Sequence, residues 1–367
     1  MLVAAIEARP LRSLDGVEVR LGEGITSLIG PNGSGKTNLL EALHFALTGR
    51  SFRTSDRREL IPFGGGLARA EATIRDGGGI EHRLLASVSR GEGRRHLLDG
   101  APVDAATAAR HRPPVAVFAP DRLALVKGPP AERRAELDRF AAARRPAREG
   151  LRKRYGQALA QRNALLGRAA AGISPAAELD AWDAALAEAA EPLVAARAEA
   201  ATELAPSFAE AATDLGLEGS ASLSYAPRCA DTAEEIRREL ASRREQDARL
   251  GRTSWGPHLD ELKLEVEGRS LRRYGSQGQQ RLALLALLFA EREALLAARR
   301  VAPLLLLDDV MSELDPGRRE RLAGRLEGGG QTLVTAADEA SVPEQARSAA
   351  VPMPPPAPAA APVVEAA

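Results

Sequence analysis

One octapeptide near the amino terminus constrains the fold of this chain more than any other segment. It runs from Gly30 to Thr37, follows the apolar run Ile25 to Ile29 and precedes a helical pattern from Lys36 to Thr48. A strand, a glycine-rich turn and a helix in this order predict a P-loop, in which backbone N–H groups and the positive end of the helix surround a phosphate. An ordinary glycine-rich turn before a helix is the alternative, but the complete spacing of the motif favours the phosphate site.

The residue types of this octapeptide predict a nucleoside triphosphate with Mg²⁺ as the ligand. We expect Lys36 to bridge the β- and γ-phosphates and to act in catalysis, and the Thr37 hydroxyl to ligate Mg²⁺. The predicted ATP site is formed by Gly30, Pro31, Asn32, Gly33, Ser34, Gly35, Lys36, Thr37 and Asn38.

A second segment supplies two acids at the end of a strand. Leu304 to Leu307 is a run of four leucines, and Asp308 and Asp309 follow directly. A buried strand beside the P-loop strand would deliver both carboxylates to the edge of the sheet where the phosphates lie. We expect Asp308 to hold Mg²⁺ and Asp309 to polarise the attacking water. Two acids after a strand can also cap a helix, so the catalytic interpretation depends on the P-loop.

A third segment opens a long apolar helix. The sequence Ser276-Gln277-Gly278-Gln279 resembles the signature of ABC ATPases, and Ser312 to Asp315 resembles their D-loop. In that class the signature contacts the γ-phosphate held by the opposite subunit, so the resemblance assigns Ser276, Gly278 and Gln279 to the nucleotide site of a partner. Ser276 can also serve as the N-cap of the helix, and the two roles are compatible.

Strand and helix patterns alternate at both ends of the chain, whereas the middle is helical. From about Ala131 to Ala248 the sequence has helical spacing, with interruptions at Gly172 to Pro175 and near Leu215 to Pro227. These patterns predict an α/β fold, namely an ABC-type P-loop ATPase head with an inserted α-helical lobe. The predicted parts are a first lobe over 1–130, a helical insertion over 131–250, a second lobe over 251–345 and a disordered tail over 346–367.

Composition excludes several classes of protein. Fifty basic and fifty acidic residues balance, so no global field attracts the chain to DNA or to a membrane. The longest apolar run, Leu282 to Ala290, is too short for a membrane span, and we expect a cytoplasmic protein. The single cysteine, Cys229, excludes a disulfide framework and a zinc hook, and we interpret it as a structural thiol.

Two departures from other ABC proteins narrow the class. None of the five histidines follows the two acids, where a transporter ATPase carries its switch histidine, and Thr335 ends the corresponding strand. Lys36 and Ser276 are 240 positions apart (276 minus 36), which is too long for a transporter subunit and too short for the coiled-coil arms of SMC proteins. A transporter ATP-binding subunit and an SMC-like protein therefore stay as alternatives that these features disfavour.

Several longer segments resemble the RecF family of bacterial recombination mediators, and the resemblance extends over nearly the whole chain to about Thr335. Two further features are typical of this family: Asp309 replaces the glutamate of other ABC proteins, and the switch histidine is missing. Leu11 to Leu14 lacks the asparagine usual in the family, and Leu259 replaces a common arginine. The segments that carry the resemblance are Gly49 to Thr54, Phe118 to Leu123, Val126 to Arg134 with Leu137 and Asp138, and Gly256 to Leu262.

This resemblance implies an ATP-dependent homodimer that binds double-stranded DNA, gapped DNA and junctions between single- and double-stranded DNA. It further implies partnership with RecR, help in loading RecA during recombinational repair and replication-fork recovery, and a weak, DNA-stimulated ATPase activity. No membrane partner is expected.

Two basic stretches are candidates for a DNA surface. Between Arg133 and Arg154 there are nine basic residues against three acids, a local excess of six. A second stretch, Arg90 to His96, is expected on a hairpin of the first lobe. Clustered cations bind DNA phosphates without regard to sequence. The alternative for the first stretch is a solvated helix face that pairs with acids of the chain.

Four further residues belong to segments that resemble the family, and alternatives stay open for each. Arg50 and Arg53 follow the P-loop helix and could reach nucleotide or a partner head, or could be solvated. Asp121 lies where ABC proteins carry their Q-loop and could sense Mg²⁺ or cap a turn. His258 is expected to be a turn residue with local hydrogen bonds, rather than a catalytic base.

Overall fold

The chain builds one unit from its two ends and a second unit from its middle. The structure, a computed structural model, describes residues 1–353 with the exception of 92, 171–175, 328, 343 and 345–348. The first unit contains Met1–Asp121 and the chain from Val301 onward, and the second contains Arg122–Arg300.

Strands dominate the first unit and helices the second. In chain order the strands are β1 (Leu2–Ala8), β2 (Val17–Arg20), β3 (Ile25–Ile29), β4 (Leu67–Arg75), β5 (Glu81–Ser89), β6 (Gly93–Leu98), β7 (Ala101–Pro102), β8 (Val115–Phe118), β9 (Ala221–Ala226), β10 (Glu261–Val266), β11 (Arg269–Ser270), β12 (Leu304–Leu307), β13 (Thr332–Ala336) and β14 (Ala350–Pro352). The helices are α1 (Lys36–Thr48), α2 (Ala105–Arg110), α3 (Ala124–Lys127), α4 (Pro130–Arg144), α5 (Leu151–Ala170), α6 (Ala176–Asp214), α7 (Ala233–Ser242), α8 (Arg244–Leu250), α9 (Leu271–Tyr274), α10 (Gln277–Arg299) and α11 (Pro316–Glu327).

A parallel sheet with the strand order β14-β3-β13-β12-β8 forms the centre of the first unit. Its inner strands are nearly continuous apolar runs because a parallel sheet is covered on both faces, and all four leucines of β12 are buried. Since β3, β13 and β12 are neighbours and run in the same direction, their carboxyl ends meet at one edge. The P-loop after β3, Thr335 in β13 and Asp308 after β12 therefore come together at that edge.

The P-loop helix α1 is packed between this sheet and an antiparallel sheet. The antiparallel sheet has the order β2-β1-β4-β5-β6-β7, and α1 contacts β1, β4 and β5 as well as β13. Leu39, Leu43, Phe45 and Leu47 of α1 are fully buried in this core. Each such side chain contributes roughly 1.5–3 kcal/mol on burial, so core packing fixes the position of the helix that carries the P-loop.

The second unit is a helical lobe with a small sheet of β9, β10 and β11. Its longest helix, α6, packs against α4, α5, α7 and α10. The fully buried Arg162 donates to Asp183, Asp247 and the Thr253 hydroxyl at 2.7–2.8 Å. Two carboxylates around one guanidinium compensate a charge that could not otherwise be buried, and they join α5, α6 and α8. Among the described residues, no helix is long and apolar enough to cross a membrane.

The structure has the predicted α/β architecture, and two segments contain strands that the sequence analysis did not predict. The interruption near Leu215 to Pro227 contains β9, which alternates buried and exposed residues and pairs with β10. The tail predicted to be disordered from residue 346 includes β14, which pairs in parallel with β3. The tail was predicted to be disordered because it is rich in proline and alanine, but Val351 packs against the core. The tail beyond Met353 and the break at Gly172 to Pro175 lie outside the described residues.

Candidate nucleotide-binding site

The P-loop makes a tight turn at the carboxyl end of β3. Gly33 and Gly35 have φ angles of +83° and +91°, in the left-handed region that residues with side chains rarely adopt. A Cβ at Gly35 would also lie 2.8 Å from Leu14 Cδ2. The backbone conformation therefore favours glycine at both positions. Gly35 immediately precedes α1, and the positive end of that helix attracts a phosphate.

Lys36 folds back over its own loop. Its ammonium group donates to the carbonyl oxygens of Gly30 at 2.5 Å and Pro31 at 2.9 Å. Burial lowers the pKa of Lys36, and the negative charges of Asp309 and Asp308 oppose this shift. The ammonium group thus lies near both acids, where a phosphate offers stronger, charged acceptors than the two carbonyls.

One buried hydroxyl group in the loop has no hydrogen-bond partner. The Ser34 side chain is buried, and its Oγ forms no hydrogen bond within the described part of the chain. Buried hydroxyl groups are satisfied in most protein structures. An unsatisfied hydroxyl inside the P-loop, at the positive end of α1, fits a phosphate oxygen. The residues present therefore suit the phosphates of a nucleotide.

Thr37 and Asp308 are in contact although 271 positions separate them in the chain. The Thr37 hydroxyl lies 2.9 Å from Oδ1 and 3.0 Å from Oδ2 of Asp308. Burial raises the pKa of Asp308, and hydrogen bonds from Thr37 and Thr335 oppose this shift. A carboxylate and a hydroxyl side by side offer Mg²⁺ the oxygen ligands that it prefers. The pair predicted to bind Mg²⁺ is thus brought together.

Asp309 has a strained backbone conformation at the edge of the same site. Its φ is +50°, and its backbone N–H donates to Thr335 Oγ1 at 2.8 Å. Non-glycine residues in this region are uncommon and cluster at functional sites. The charge of the half-buried Asp309 raises the pKa of both Lys36 and Asp308. Its carboxylate therefore lies near the group expected to hold the γ-phosphate.

Glu41, which sequence analysis did not single out, joins the loops around the P-loop helix. It is fully buried on α1 and accepts hydrogen bonds from Arg12 at 2.5 and 2.9 Å and from the Ser51 hydroxyl at 2.5 Å. Arg53 lies 3.5 Å from the same carboxylate and donates to the Asn38 amide oxygen at 3.1 Å. Glu41 is the one acid of α1 and lies directly between Leu40 and Ala42, which was the signal that could have revealed it.

The predicted signature forms the start of α10 in the second unit. Ser276 is the N-cap: its Oγ accepts the Gln279 N–H at 3.2 Å, and the Gln279 side chain accepts the Ser276 N–H at 2.9 Å. These reciprocal bonds form a capping box, which confirms the capping role. Ser276 is exposed, and Gly278 lies in the first turn of the helix. Contact of these residues with the nucleotide of a second subunit stays a prediction.

Arg133, the first member of the long basic stretch, is not available to DNA. It is 3% exposed and forms a bidentate ion pair with Glu261 at 2.7 and 3.0 Å. Its guanidinium also donates to three backbone carbonyls at 3.1–3.2 Å. These bonds engage all three guanidinium nitrogens, so Arg133 has a structural role within the second unit.

Three further arginines of this stretch pair with acids of α6. Arg144 donates to Glu203 at 2.8 Å, and Arg145 and Arg148 both pair with Glu199. These cations, with Arg148 first, lower the pKa of Glu199. The acids lie 51 to 59 positions away in the sequence. A charge count within the stretch did not include them and therefore overestimated the excess of positive charge. The expectation that Arg144, Arg145 and Arg148 form a DNA surface is therefore corrected. They match the alternative, a helix face that pairs with acids of the chain.

Three other residues singled out in the sequence, His258, Cys229 and Asp121, lie away from the P-loop in the sequence, and the structure shows the surroundings of each. His258 Nδ1 lies 2.7 Å from Tyr155 Oη, and Nε2 lies 3.1 Å from the Thr253 carbonyl oxygen; burial lowers the pKa of His258. The expected turn residue is thus observed. Burial raises the pKa of Cys229 to about 12, which agrees with a structural thiol. Asp121 is exposed on the turn Pro120–Leu123.

Comparison with known proteins places the chain among DNA repair proteins. The family model of the RecF/RecN/SMC N terminal domain matches residues 2–354. A DNA replication and repair protein RecF from Anaeromyxobacter sp. (strain Fw109-5) is 39% identical over 336 residues, which cover 89% of each chain. Another from Streptomyces avermitilis is 37% identical over 362 residues, which cover 94% of this chain and 95% of the relative. The similarity therefore extends over both units.

Solved structures support the same relationship. A recombination mediator protein RecF with ATP, described as part of the RecFOR pathway, has a TM-score of 0.83 and 26% identity over 93% of each chain. An Smc head bound to the C-winged helix domain of ScpA has a TM-score of 0.57 at 17% identity and covers 96% of this chain, which supports the fold alone. The architecture is that of an ABC-type P-loop ATPase head with an inserted helical lobe, and the chain belongs to the RecF family of DNA replication and repair proteins.

Proposed function

We propose that this chain is an ATP-dependent DNA-binding protein of recombinational repair, in which ATP and Mg²⁺ bind between two copies of the chain. The observation that carries this proposal is the contact between the Thr37 hydroxyl and Asp308, beside the unsatisfied hydroxyl of Ser34. Together these groups offer Mg²⁺ two protein oxygens and offer a phosphate one donor at a helix N-terminus.

The P-loop side of the site binds and orients the triphosphate. Lys36 exchanges its bonds to the loop carbonyls for the β- and γ-phosphates, so the positive charge stays near the reacting group. Thr37 and Asp308 hold Mg²⁺, and the chemistry that the ion supplies there is neutralisation of phosphate charge. Hydrogen bonds from the Thr37 and Thr335 hydroxyls orient the Asp308 carboxylate.

The opposite edge of the site orients water. Asp309 accepts a hydrogen bond from the attacking water and draws off its proton. Thr335 bonds to the side chain of Asp308 and to the backbone N–H of Asp309, so one hydroxyl orients both acids. Groups fixed before the substrate binds need not reorganise during the reaction, which is the usual source of electrostatic catalysis.

A second copy of the chain completes each site. The exposed Ser276 and the positive end of the 23-residue helix α10 suit a γ-phosphate presented by another subunit. ATP then links two copies into a homodimer with twofold symmetry and two composite sites. Hydrolysis removes the γ-phosphate and releases the two copies.

Double-stranded DNA and RecR are the proposed partners. The relatives are named for DNA replication and repair, and the ATP-bound relative is described as part of the RecFOR pathway. We expect the dimer to bind duplex DNA near single-stranded gaps and at junctions of single- and double-stranded DNA. With RecR it would promote loading of RecA, and its weak ATPase activity would be stimulated by DNA. Because the net charge is zero, binding requires a local cationic surface.

DNA binding with and without ATP tests this function. The fluorescence anisotropy of a labelled gapped duplex is measured with ATP and Mg²⁺, with ADP and without nucleotide. We expect tight binding only with ATP, and none by the Lys36→Ala variant. Lys263→Ala, which removes an exposed lysine from β10, is the matched control. Equal affinity of the wild type with and without ATP would contradict the proposal.

A further inference from the structure

A group of cations surrounds a buried histidine at the far end of the P-loop helix. We call Arg50, Arg57, Arg94 and His96 the Arg94 cluster. Burial lowers the pKa of Arg94, and the positive charges of Arg57 and Arg50 lower it further. Burial, together with the charges of Arg94, Arg112 and Arg57, lowers the pKa of His96 to about 4. These effects on the pKa of Arg94 and His96 indicate that the cationic groups lie near one another.

The arginines of the Arg94 cluster have no acidic partners within the described part of the chain. No carboxylate of those residues forms an ion pair with Arg50, Arg57 or Arg94. By contrast, Arg69 and Arg75, on the same antiparallel sheet, pair with Glu71 at 3.2 Å and Glu81 at 3.0 Å. Like charges held together without counter-charges repel one another, and a bound anion relieves that repulsion.

His96 adds an unsatisfied donor to this cluster. Its side chain is 5% exposed, and neither ring nitrogen forms a hydrogen bond of regular geometry with a described residue, although the backbone of Phe45 partly opposes the lowering of its pKa. Buried polar groups without partners are rare and call for an explanation. A Cβ at Gly49 would lie 2.8 Å from both Arg94 Nη1 and His96 Cε1. The guanidinium and the imidazole thus converge over the glycine that ends α1.

The location separates this cluster from the nucleotide site. Gly49 caps the carboxyl end of α1, whereas the P-loop lies at the amino end of the same 13-residue helix. At 1.5 Å per residue the helix is about 20 Å long, so the triphosphate held by Lys36 cannot reach the Arg94 cluster. An anion bound there would therefore be a different one, and it would have to outweigh the partial negative charge of the carboxyl end of α1, which also favours cations.

We propose that the Arg94 cluster binds a phosphate of a nucleic-acid backbone. Guanidinium groups form bidentate hydrogen bonds with phosphate, and the His96 imidazole supplies one more donor. Arg90 and Arg95, exposed on the same β5–β6 hairpin, extend the cationic surface beyond the reach of one free phosphate. Contacts of this kind are independent of base sequence. The inference rests on the proposed DNA-binding function and assigns part of that surface to the first unit.

A double variant with a charge-matched control tests the site. Arg57→Ala with Arg94→Ala removes two unpaired cations, whereas Arg69→Ala with Arg75→Ala removes two paired cations from β4, in the sheet that contains Arg94. In anisotropy titrations with ATP, the first variant should bind duplex DNA at least about tenfold more weakly, and its log–log salt slope should fall by about two. The control should stay within about twofold of the wild type. Equal DNA affinity of the two double variants overturns the proposal.

A second measurement, with inorganic phosphate, asks whether the Arg94 cluster binds an anion at all. It also distinguishes a free phosphate from a nucleic-acid phosphate as the ligand. The P-loop can itself bind phosphate, so millimolar phosphate should raise the Tm of the wild type more than that of Arg57→Ala with Arg94→Ala, and without phosphate the two should have similar Tm values. Loss of this phosphate effect without loss of DNA affinity would identify a free phosphate as the ligand and overturn the nucleic-acid assignment. If the wild type itself fails to bind DNA with ATP, the proposed function fails, while the phosphate effect still reports on the site.

Discussion

Thr335 and Asp308 share a hydrogen bond of 2.9 Å between the threonine hydroxyl and Oδ1 of the acid. The same hydroxyl accepts the backbone N–H of Asp309 at 2.8 Å. Because β13 lies between β3 and β12, a short side chain at its end reaches both the carboxylate of Asp308 and the backbone of Asp309. A threonine here holds the hydrolytic edge of the site together at a position where transporter ATPases have a histidine.

Thr335→Val should slow ATP hydrolysis while ATP binding is largely retained. The valine is nearly isosteric but lacks the hydroxyl, so Asp308 loses a donor and the Asp309 N–H loses its acceptor. The free energy of unfolding should fall by about 1–3 kcal/mol, since buried groups become unsatisfied. Single-turnover hydrolysis and urea unfolding measure both effects. Thr335→Ser keeps the hydroxyl and should behave like the wild type; unchanged hydrolysis by the valine variant would remove Thr335 from the site.

Lys36→Ala and Asp309→Asn should impair different steps. The first variant loses a charged contact with two phosphates, so its ATP affinity should fall at least about tenfold. The second loses only the group that accepts the proton of water, so ATP binding should persist while hydrolysis slows roughly 10²-fold or more. Equilibrium binding of a fluorescent ATP analogue and a phosphate-release assay distinguish the two. Equal loss of nucleotide affinity in both variants would overturn the role given to Asp309.

The sequence predicted the strand, turn and helix around the P-loop because these parts are consecutive in the chain. Strand β3, the P-loop and α1 are consecutive, and the glycine-rich motif together with the spacing of apolar residues placed their ends. The role of Thr335 could not be predicted, since it depends on the order of strands in the sheet. Arg144 and Glu203 are 59 positions apart, so their pairing was equally invisible until α4 and α6 were seen to pack. The burial of Glu41 could not be predicted either, because its partners Arg12 and Ser51 lie on other segments of the chain.

Ser276→Arg should leave ATP binding by a single copy nearly intact but prevent ATP-induced dimerisation. A long cationic side chain at the start of α10 would occupy the place of the other subunit's γ-phosphate. Loss of the cap should itself lower the free energy of unfolding by about 1 kcal/mol. Ser276→Thr keeps both the hydroxyl and the cap and serves as control. An arginine variant that dimerises with ATP like the control would show that the signature does not act across the interface.

Acidification should destabilise the chain in part through His96. Its pKa is about 4 in the folded chain, against about 6.5 in an unfolded chain. Between these values the unfolded state binds a proton that the folded state does not, so stability falls as pH decreases from 6.5 towards 4. The slope from this group is at most about 1.4 kcal/mol per pH unit. His96→Gln should flatten the pH dependence of urea unfolding; an unchanged slope would contradict the assigned pKa.

Sedimentation velocity with and without ATP tests the central claim most directly. The Asp309→Asn variant is suited to it, because slow hydrolysis should preserve the ATP-bound state. With saturating ATP and Mg²⁺ the chain should sediment as a homodimer, and with ADP or without nucleotide as a monomer. Addition of duplex DNA should produce a faster complex only in the ATP sample. A chain that stays monomeric with ATP bound would contradict the account, since neither the signature nor a joint DNA surface could then act between two copies.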